Sequence, residues 1–266
     1  MSALDVVLPV LIGVGSGFLS GQFGIGGAMV TTPAIRLLLG RPELIAVGTP
    51  LPIIIPTAVA GAIAYARRGL IDVRAGLTVG LAGSLASVAG AWSTRLVGGS
   101  FVLVVTAVVI CYMAMDMALL AFRKASAEVE SGVVPAVPHG VAKRLPVGYI
   151  LLGLMTGLYS GFLGLGGGFI VVPALIRWFG FDAKRAIGTS LVVVSVLAVP
   201  GSITHYFLGH VDLWLAGVMA LGVVPGALLG ARVTALASER FVKIAFSGLL
   251  LVVGIVLALA ELGVLG

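Results

Sequence analysis

Long stretches of the sequence contain no Asp, Glu, Lys or Arg, and these stretches predict helices that cross a membrane. A single membrane-spanning helix needs about 20 apolar residues. Six of the eight stretches have about this length: Leu44–Ala66, Ala75–Thr94, Leu96–Met115, Ala186–Val211, Leu213–Ala231 and Ile244–Ala260. The other two, Val6–Ile35 and Leu145–Ile176, are longer than one span and shorter than two. We therefore expect each of them to be two tightly joined segments, at least one of which is short.

Both long stretches have a cluster of glycines in the middle. As one straight helix at about 1.5 Å per residue, either stretch would reach roughly 45–48 Å, well beyond a hydrocarbon core of about 30 Å. Glycine adopts left-handed backbone conformations at little cost, so the clusters around Gly26 and Gly166 can end one helix and begin another. The sequence thus predicts a broken or short helix near membrane depth in each stretch.

The two halves of the chain are copies of each other. A shift of 140 positions aligns them without a gap from Gly13 to Leu96. Glycines, serines and prolines recur at matching places: Gly13, Gly17, Ser20, Gly21, Gly24, Gly26, Gly27 and Pro33, then Gly153, Gly157, Ser160, Gly161, Gly164, Gly166, Gly167 and Pro173. We expect an N-terminal repeat at residues 1–122, an exposed, charged cytoplasmic linker at 123–146 and a C-terminal repeat at 147–266.

Each repeat contains five apolar segments: approximately 6–23, 28–40, 44–67, 73–94 and 98–122, then 147–163, 168–180, 185–208, 212–234 and 241–260. An odd number of crossings per repeat would place the second copy upside down in the membrane. Ten crossings put 13 Lys and Arg residues on one side and 3 on the other, whereas eight crossings give 9 and 7. Because Lys and Arg concentrate in cytoplasmic loops, the stronger asymmetry favours ten crossings with both termini outside. The expected fold is an all-α polytopic membrane protein of two five-segment inverted-topology repeats.

Composition excludes the other broad classes. Hydrophobic residues make up 60% of the chain and charged residues 10%, against about 25% charged in soluble domains. The net charge of +6 follows from the loops that set topology, so no nucleic-acid partner is expected. Cys111 is the single cysteine, which excludes an internal disulfide and a cysteine-rich metal site.

The glycine-rich breaks are the best candidate for a binding site. A helix N-terminus offers free N–H groups and a positive dipole end, and glycine lets a ligand approach the backbone closely. Two such ends from inverted repeats would converge on one anion near the pseudo-twofold axis. The candidate substrate-binding residues of the breaks are Ser20, Gly21, Gln22, Gly24, Gly26, Gly27, Ser160, Gly161, Gly164, Gly166, Gly167 and Gly168. Close helix packing is the alternative explanation, and we assign it to Gly13, Gly17, Gly153 and Gly157.

Three hydroxyl residues extend this candidate site. Thr49, Thr189 and Ser190 stand at the predicted start of the third segment of each repeat, where their side chains would complete a polar lining or cap the helices. Gln22 aligns with Phe162, so the two halves of the site need not be chemically equal.

Ionisable residues at predicted membrane depth are few. Asp116 lies in the fifth segment and His205 in the eighth, each either a proton relay or a side chain that reaches the interface. Asp72 and Asp212 are expected to begin helices. The sequence shows no Walker lysine, no His/Cys metal spacing and no acid pair in one pocket, so we expect no enzyme, metal site or cofactor.

The duplicated pattern G-x-x-x-G-x-x-S-G-x-x-G-x-G-G with its downstream proline resembles the sulfite exporter TauE/SafE family over nearly the whole chain. The first copy departs from it at Ala28, where the second has Gly168. The resemblance implies transport of sulfite, sulfonates or related small organic anions across the bacterial inner membrane. Our hypothesis is an anion transporter in which one repeat moves against the other, with proton or ion coupling, direction and oligomeric state left open. The alternatives are a passive anion channel and a non-transporting structural or accessory membrane protein.

Overall fold

A computed structural model describes residues 4–93, 108–115, 119, 146–163 and 166–261 of the chain. Besides a helical stretch at 108–115, the described residues form ten helices. They are α1 (Leu4–Phe23), α2 (Ala28–Leu37), α3 (Glu43–Gly48), α4 (Pro50–Ala66), α5 (Val73–Ser93), α6 (Pro146–Leu163), α7 (Gly168–Phe179), α8 (Ala183–Phe207), α9 (Leu213–Leu236) and α10 (Glu239–Glu261). Asp116, Gly164, residues 123–145 of the expected linker and most of the segment 98–122 lie outside the described residues.

The helices confirm an all-α, multi-pass membrane protein. Among the described residues, five helical stretches are long and apolar enough to cross a membrane: Val6–Phe23, Glu43–Ala66, Val73–Ser93, Ala183–Phe207 and Leu213–Leu236. Between them stand two short helices, α2 with 10 residues and α7 with 12. At about 1.5 Å per residue these reach only about 15 and 18 Å, about half of a hydrocarbon core. The prediction of one short segment in each long stretch is therefore confirmed.

The third segment differs between the two copies. In the first copy its helical hydrogen bonding is interrupted at Thr49, between the end of α3 at Gly48 and the start of α4 at Pro50, although Thr49 itself keeps helical backbone angles (φ −60°, ψ −36°). In the second copy α8 is continuous and begins at Ala183, capped by the Asp182 side chain. The prediction that Thr189 and Ser190 open a helix is therefore wrong. The helix starts earlier because Asp182 accepts a hydrogen bond from the Arg185 N–H at 2.8 Å and so supplies the cap.

Two helix–helix seams hold the bundle together, and both are built on glycine. A Cβ atom on Gly13, Gly17 or Gly21 of α1 would collide with a backbone carbonyl of α9, at Met219, Val223 and Ala227 respectively. The equivalent seam lies between α6 and α5. There Gly153, Gly157 and Gly161 face the carbonyls of Val79, Gly83 and Ser87. This close backbone approach is the packing that small residues at four-residue spacing permit, and it confirms the assignment of Gly13, Gly17, Gly153 and Gly157 to packing.

The seams join helices that belong to different repeats, so the two copies are interleaved. Their contacts are also reciprocal. The Asp72 N–H donates to Thr189 Oγ1 at 3.0 Å, and the equivalent Asp212 N–H donates to Thr49 Oγ1 at 3.0 Å. Reciprocal contacts of this kind are the pattern of a two-fold arrangement. Asp72 and Asp212 also accept from Ala75 N–H and Leu215 N–H, which confirms that they begin helices.

Helices α4 and α8 lie antiparallel beside each other. Gly188, near the start of α8, packs against Tyr65 near the end of α4, and Gly48 packs against His210 just after α8. Basic residues gather at the end of the bundle where α4 ends and α8 begins: Arg67, Arg68, Arg74, Lys184, Arg185, Arg232, Arg240 and Lys243. Contacts of this end include Arg185 with Asp72 at 3.0 Å and Lys184 Nζ with the Ala235 carbonyl at 2.9 Å. At the opposite end, Arg36 pairs with Glu43 and Arg41 with Asp212.

Candidate binding site at the paired helix breaks

The two helix breaks are built by glycines with left-handed backbone conformation. The first lies between α1 and α2 and the second between α6 and α7. The φ angle is positive at Gly24 (72°), Gly26 (79°), Gly27 (87°), Gly166 (75°) and Gly167 (73°). A residue with a Cβ atom would pay roughly 1–2 kcal/mol for each such conformation, so glycine is required to turn the chain this sharply.

The two breaks pack directly against each other. A Cβ atom on Gly168 would collide with the Gly24 carbonyl oxygen and lie 2.8 Å from Ile25 Cα, while one on Gly166 would lie 3.7 Å from the Ile25 carbonyl oxygen. Backbone from the first copy therefore occupies the space beside the first turn of α7. This explains why the second copy has Gly168 where the first has Ala28.

Two apolar side chains at equivalent positions enclose the breaks. Gly26 faces Val194 Cγ1 and Ile54 Cγ2, and Gly166 faces the same two side chains in the reverse order of proximity. Ile25, Ile54 and Val194 are each 0% exposed. The described residues of both breaks are thus buried.

Next to the first break, the N-terminus of α2 meets a buried hydroxyl. Gly27 is the N-cap of α2, and among the described residues no side chain caps this helix. A Cβ atom at Gly27 would lie 3.6 Å from Ser20 Cβ, so Ser20 stands against the start of α2. Ser20 is 0% exposed, and its Oγ atom has no hydrogen-bond partner in the described part of the chain.

The second break repeats this arrangement with one more hydroxyl. Gly167 is the N-cap of α7, and among the residues that the structure describes no side chain caps this helix either. A Cβ atom at Gly167 would lie 3.3 Å from Ser160 Cβ and 2.6 Å from Thr156 Cγ2. The hydroxyls of Ser160 and Thr156 are both buried and lack a partner within the described structure. Leaving a buried hydroxyl unbonded costs about 1–3 kcal/mol, which a ligand oxygen could recover.

The first copy lacks the equivalent of the Thr156 hydroxyl as a free group. Its counterpart, Ser16, donates to the Gly13 carbonyl at 3.1 Å. We call each helix N-terminus with its neighbouring hydroxyls a cradle: the start of α2 with Ser20, and the start of α7 with Ser160 and Thr156. The two cradles have the same backbone arrangement and differ in the number of hydroxyls that they offer.

Of the three predicted hydroxyl residues, only Ser190 bonds the backbone of a helix break, and Thr234, which was not predicted, does the same. The Ser190 hydroxyl donates to the Gly24 carbonyl at 2.6 Å, and the Thr234 hydroxyl donates to the Gln22 carbonyl at 2.9 Å. Thr49 and Thr189 hold the backbone of the loops before α9 and α5 instead of lining the breaks. The hydrogen bonds from Ser190 and Thr234 thus fix the backbone at the first break.

Gly21 and Gly161 have both faces occupied. Their Cα atoms lie in the glycine seams, and their carbonyls face Tyr65 and His205. The Tyr65 hydroxyl donates to the Gly21 carbonyl at 3.1 Å. Gly21 and Gly161 are therefore occupied by contacts within the protein, which support the backbone next to the breaks.

His205 is buried and belongs to a short chain of polar groups. Its Nε2 atom lies 3.2 Å from the Gly161 carbonyl oxygen and its Nδ1 atom 3.3 Å from His210 Nδ1. A carbonyl only accepts, so Nε2 of His205 must carry the proton. When both rings are neutral, the Nδ1–H of His210 donates to His205. The chain connects the half-buried His210 with Gly161, the neighbour of Ser160.

Some residues of this site were not anticipated from the sequence. Thr156 lies one turn before Ser160 and aligns with Ser16, so a hydroxyl repeated at four-residue spacing could have revealed it. Ile54 and Val194 carry no signal, because an apolar residue that seals a site looks like any other in an apolar helix. Within the described residues, no cluster of three His, Cys, Asp or Glu residues could hold a metal ion.

Known proteins are similar in sequence to this chain along most of its length. The model of the family "Sulfite exporter TauE/SafE" matches residues 9–257. Probable membrane transporter protein YunE of Bacillus subtilis is 26% identical over 89% of this chain and 90% of its own length. A probable membrane transporter protein of Xylella fastidiosa is 31% identical over 84% of this chain and 83% of its own. No solved structure matches. With the family pattern present in both halves of a multi-pass helical bundle, the chain belongs to the sulfite exporter TauE/SafE family of membrane transporters.

Proposed function

We propose that this protein transports a small anion, such as sulfite, a sulfonate or a related organic anion, across the bacterial inner membrane. The anion would bind between the N-termini of α2 and α7. The observation that carries the proposal is the pairing of two uncapped helix N-termini with the unbonded, buried hydroxyls of Ser20, Ser160 and Thr156, counted among the described residues. Each cradle offers hydrogen-bond donors and a positive dipole end, and an anion supplies the acceptor oxygens and the negative charge that match them.

Binding without a cation suits a substrate that must also leave. The basic residues described above lie at the two ends of the bundle, away from the breaks. A helix N-terminus contributes about 0.3–1 kcal/mol, up to about 2 kcal/mol when partly buried, and a hydrogen bond to a charged group about 1.5–3 kcal/mol. A few such contacts hold an anion without trapping it.

Alternating access would follow from the reciprocal architecture. The sealed breaks correspond in this proposal to an occluded state, with Ile54 and Val194 as the apolar barrier. The glycine seams make it costly to move one repeat against the other, because α1 is locked to α9 and α5 to α6. The moving bodies are therefore these two cross-repeat pairs, turning about α4 and α8.

The distribution of side chains supports an inverted orientation with both termini outside. Arg67, Arg68 and Arg232 occupy the end where α4 ends, and the equivalent positions in the other repeat carry Phe207, Leu208 and Trp92 respectively. Arginines concentrate on the cytoplasmic side, and aromatic residues are enriched at membrane interfaces. Equivalent positions at opposite membrane surfaces account for this exchange.

Proton coupling belongs to the proposal through His205. The histidine pair leads from a half-buried loop residue, His210, to the carbonyl beside Ser160. A proton entering at His210 could pass to His205 as an anion arrives, because the negative charge of the anion would offset the cost of a buried imidazolium.

The proposal is tested by uptake of radiolabelled sulfite and sulfonates into proteoliposomes. The double variant Ser20→Ala/Ser160→Ala should lose about tenfold or more in apparent affinity, since each hydroxyl contributes a hydrogen bond to a charged ligand. Its thermal stability should be unchanged, because these hydroxyls have no partner in the described structure. Ser202→Ala is the matched control, since this hydroxyl bonds only within its own helix, to the Ala198 carbonyl.

Three results would contradict the proposal: no saturable uptake by the wild-type protein, unchanged affinity of the double variant, or an equal loss in Ser202→Ala. Flux that rises linearly with concentration would instead support a passive channel. Binding and uptake that are absent for every anion of this class would support a structural or accessory role.

A further inference from the structure

A groove between α4 and α9 lies apart from the helix breaks, at the basic end of the bundle. Its volume is about 380 Å³. Ile63, Val224 and Leu228 form an apolar wall, and Arg67, Arg68 and Arg232 stand at the same groove. All three arginines are exposed, as is Ile63 at 47%. The groove thus combines an apolar wall with a cluster of positive charge.

The three guanidinium groups are not neutralised by the protein as described. No carboxylate among the described residues forms an ion pair with any of them, whereas Arg36, Arg41 and Arg185 each have an acidic partner. Three like charges at one groove repel each other, and an anionic ligand would relieve that repulsion.

The scaffold does not require these arginines. The equivalent position of each arginine in the other repeat carries Phe207, Leu208 or Trp92, of which Phe207 is 79% and Trp92 59% exposed. The same helix geometry is therefore compatible with uncharged side chains. The charge at this groove serves something other than the packing of α4 against α9.

We propose that this groove is a binding site for an anionic phospholipid. Its phosphate would lie among Arg67, Arg68 and Arg232, and one acyl chain would follow Ile63 toward the hydrocarbon core. Basic pockets between membrane helices on the cytoplasmic side are suited to anionic headgroups. The apolar wall favours a lipid over a free anion, because a soluble anion gains nothing from Ile63, Val224 or Leu228. The inference needs only the membrane location of the chain, so it stands independently of the transported substrate.

The test measures lipid retention by native mass spectrometry of the purified full-length protein with phosphatidylglycerol and phosphatidylcholine. The wild type should retain phosphatidylglycerol preferentially, and Arg67→Gln/Arg232→Gln should weaken that retention about tenfold or more, since each basic residue near the headgroup contributes substantially. Arg74→Gln/Arg240→Gln is the matched control. It removes the same charge from exposed residues at the same end but outside the groove, and it should retain the lipid as the wild type does.

Equal loss in both double variants would overturn the proposal, because it would show attraction by overall charge alone. Equal retention of the two lipids by the wild type would also overturn it. A third arm adds inorganic phosphate at millimolar concentration. If phosphate displaces phosphatidylglycerol as readily as added lipid does, the groove is a vestibule for soluble anions and the lipid proposal fails.

Discussion

At equivalent places in the two repeats, the carbonyls of Gly21 and Gly161 face different partners. The first accepts from the phenol of Tyr65 and the second from the imidazole of His205, at 3.1 and 3.2 Å. The backbone is the same, yet only the second partner carries two ring nitrogens through which a proton could be relayed. A second difference separates Ser16, which is bonded to its own helix, from Thr156, whose hydroxyl has no partner among the described residues.

The duplication preserves the scaffold down to single hydrogen bonds, while the side chains around it diverge. Glycine seams and loop ties are the same in both copies, since each copy must meet the other across a two-fold relation. Groups that we propose to contact an anion, a proton or a lipid are free of that requirement. Substitutions at equivalent shared positions should therefore have equal effects in the two copies, whereas substitutions at diverged positions should affect one copy only.

The largest effect is expected in the seams. Gly17→Val and Gly157→Val should each abolish folding, or lower the free energy of unfolding by at least about 3 kcal/mol, because the new side chain meets the backbone of Val223 or Gly83. Membrane yield and thermal unfolding measure this. Gly217→Val on α9 is the control, since its Cβ atom would meet open space. A variant of either seam that is as stable as this control would contradict the shared role.

A smaller loss, about 2–4 kcal/mol, is expected for Gly167→Ala. It combines the strain of a positive φ with a collision against Thr156 Cγ2, whereas Gly27→Ala brings only the strain of about 1–2 kcal/mol. Thermal unfolding of both variants separates the two terms. Thr156→Ser removes the colliding methyl group, so Gly167→Ala/Thr156→Ser should be about as stable as Gly27→Ala. If the double variant were no more stable than Gly167→Ala, the collision with Thr156 would not explain the difference in stability between Gly167→Ala and Gly27→Ala.

For His205→Tyr we expect an intact fold and a loss of about tenfold in uptake driven by a proton gradient. The fold should persist because Tyr65 already fills the equivalent place and bonds the equivalent carbonyl. Loss of coupling follows because a phenol does not take up a proton near neutral pH. Gradient-driven uptake, compared with anion exchange at equal pH, makes the measurement. Tyr65→Phe is the control and should keep the coupling. Unchanged gradient-driven uptake in His205→Tyr would exclude the relay.

The smallest effects are expected at the loop ties. Thr49→Val and Thr189→Val should each lower the free energy of unfolding by about 1 kcal/mol, since each leaves one N–H, of Asp212 or Asp72, without its acceptor. The two values should agree, because the bonds are equivalent. Thr78→Val, whose hydroxyl is exposed, should change stability by less than about 0.5 kcal/mol. A clear difference between Thr49→Val and Thr189→Val would show that the copies have diverged here as well.

Much of the architecture could be predicted because membrane thickness constrains it. The over-long stretches around Gly26 and Gly166 had to break, and the structure breaks them there with positive φ angles. Gly13 and Gly153 were recognisable as packing positions, because small residues at four-residue spacing have few other uses in a bilayer.

The partners of these elements could not be predicted. Internal similarity shows which positions are equivalent, but pairing within a repeat and pairing between repeats would use the same glycine stripe. The packing of Gly13 against Met219 was therefore not foreseen. The two breaks were expected to converge on one anion, but their direct contact at Ile25 and Gly168 was not expected. Thr189 was misplaced because an earlier cap, Asp182, begins its helix. Local sequence cannot rank two competing start signals that are less than two turns apart.

The interleaving of the repeats has a consequence for synthesis. Gly13 is made first, but its seam partner Met219 follows roughly 200 residues later, so at about 5–20 residues per second α1 waits on the order of 10–40 s. The α5–α6 seam, closed between Val79 and Gly153, is complete much sooner. During the wait, the glycine stripe of α1 faces lipid or the insertion machinery. Helix α1 thus enters the membrane long before its partner α9, and shielding it until then becomes a requirement of biogenesis.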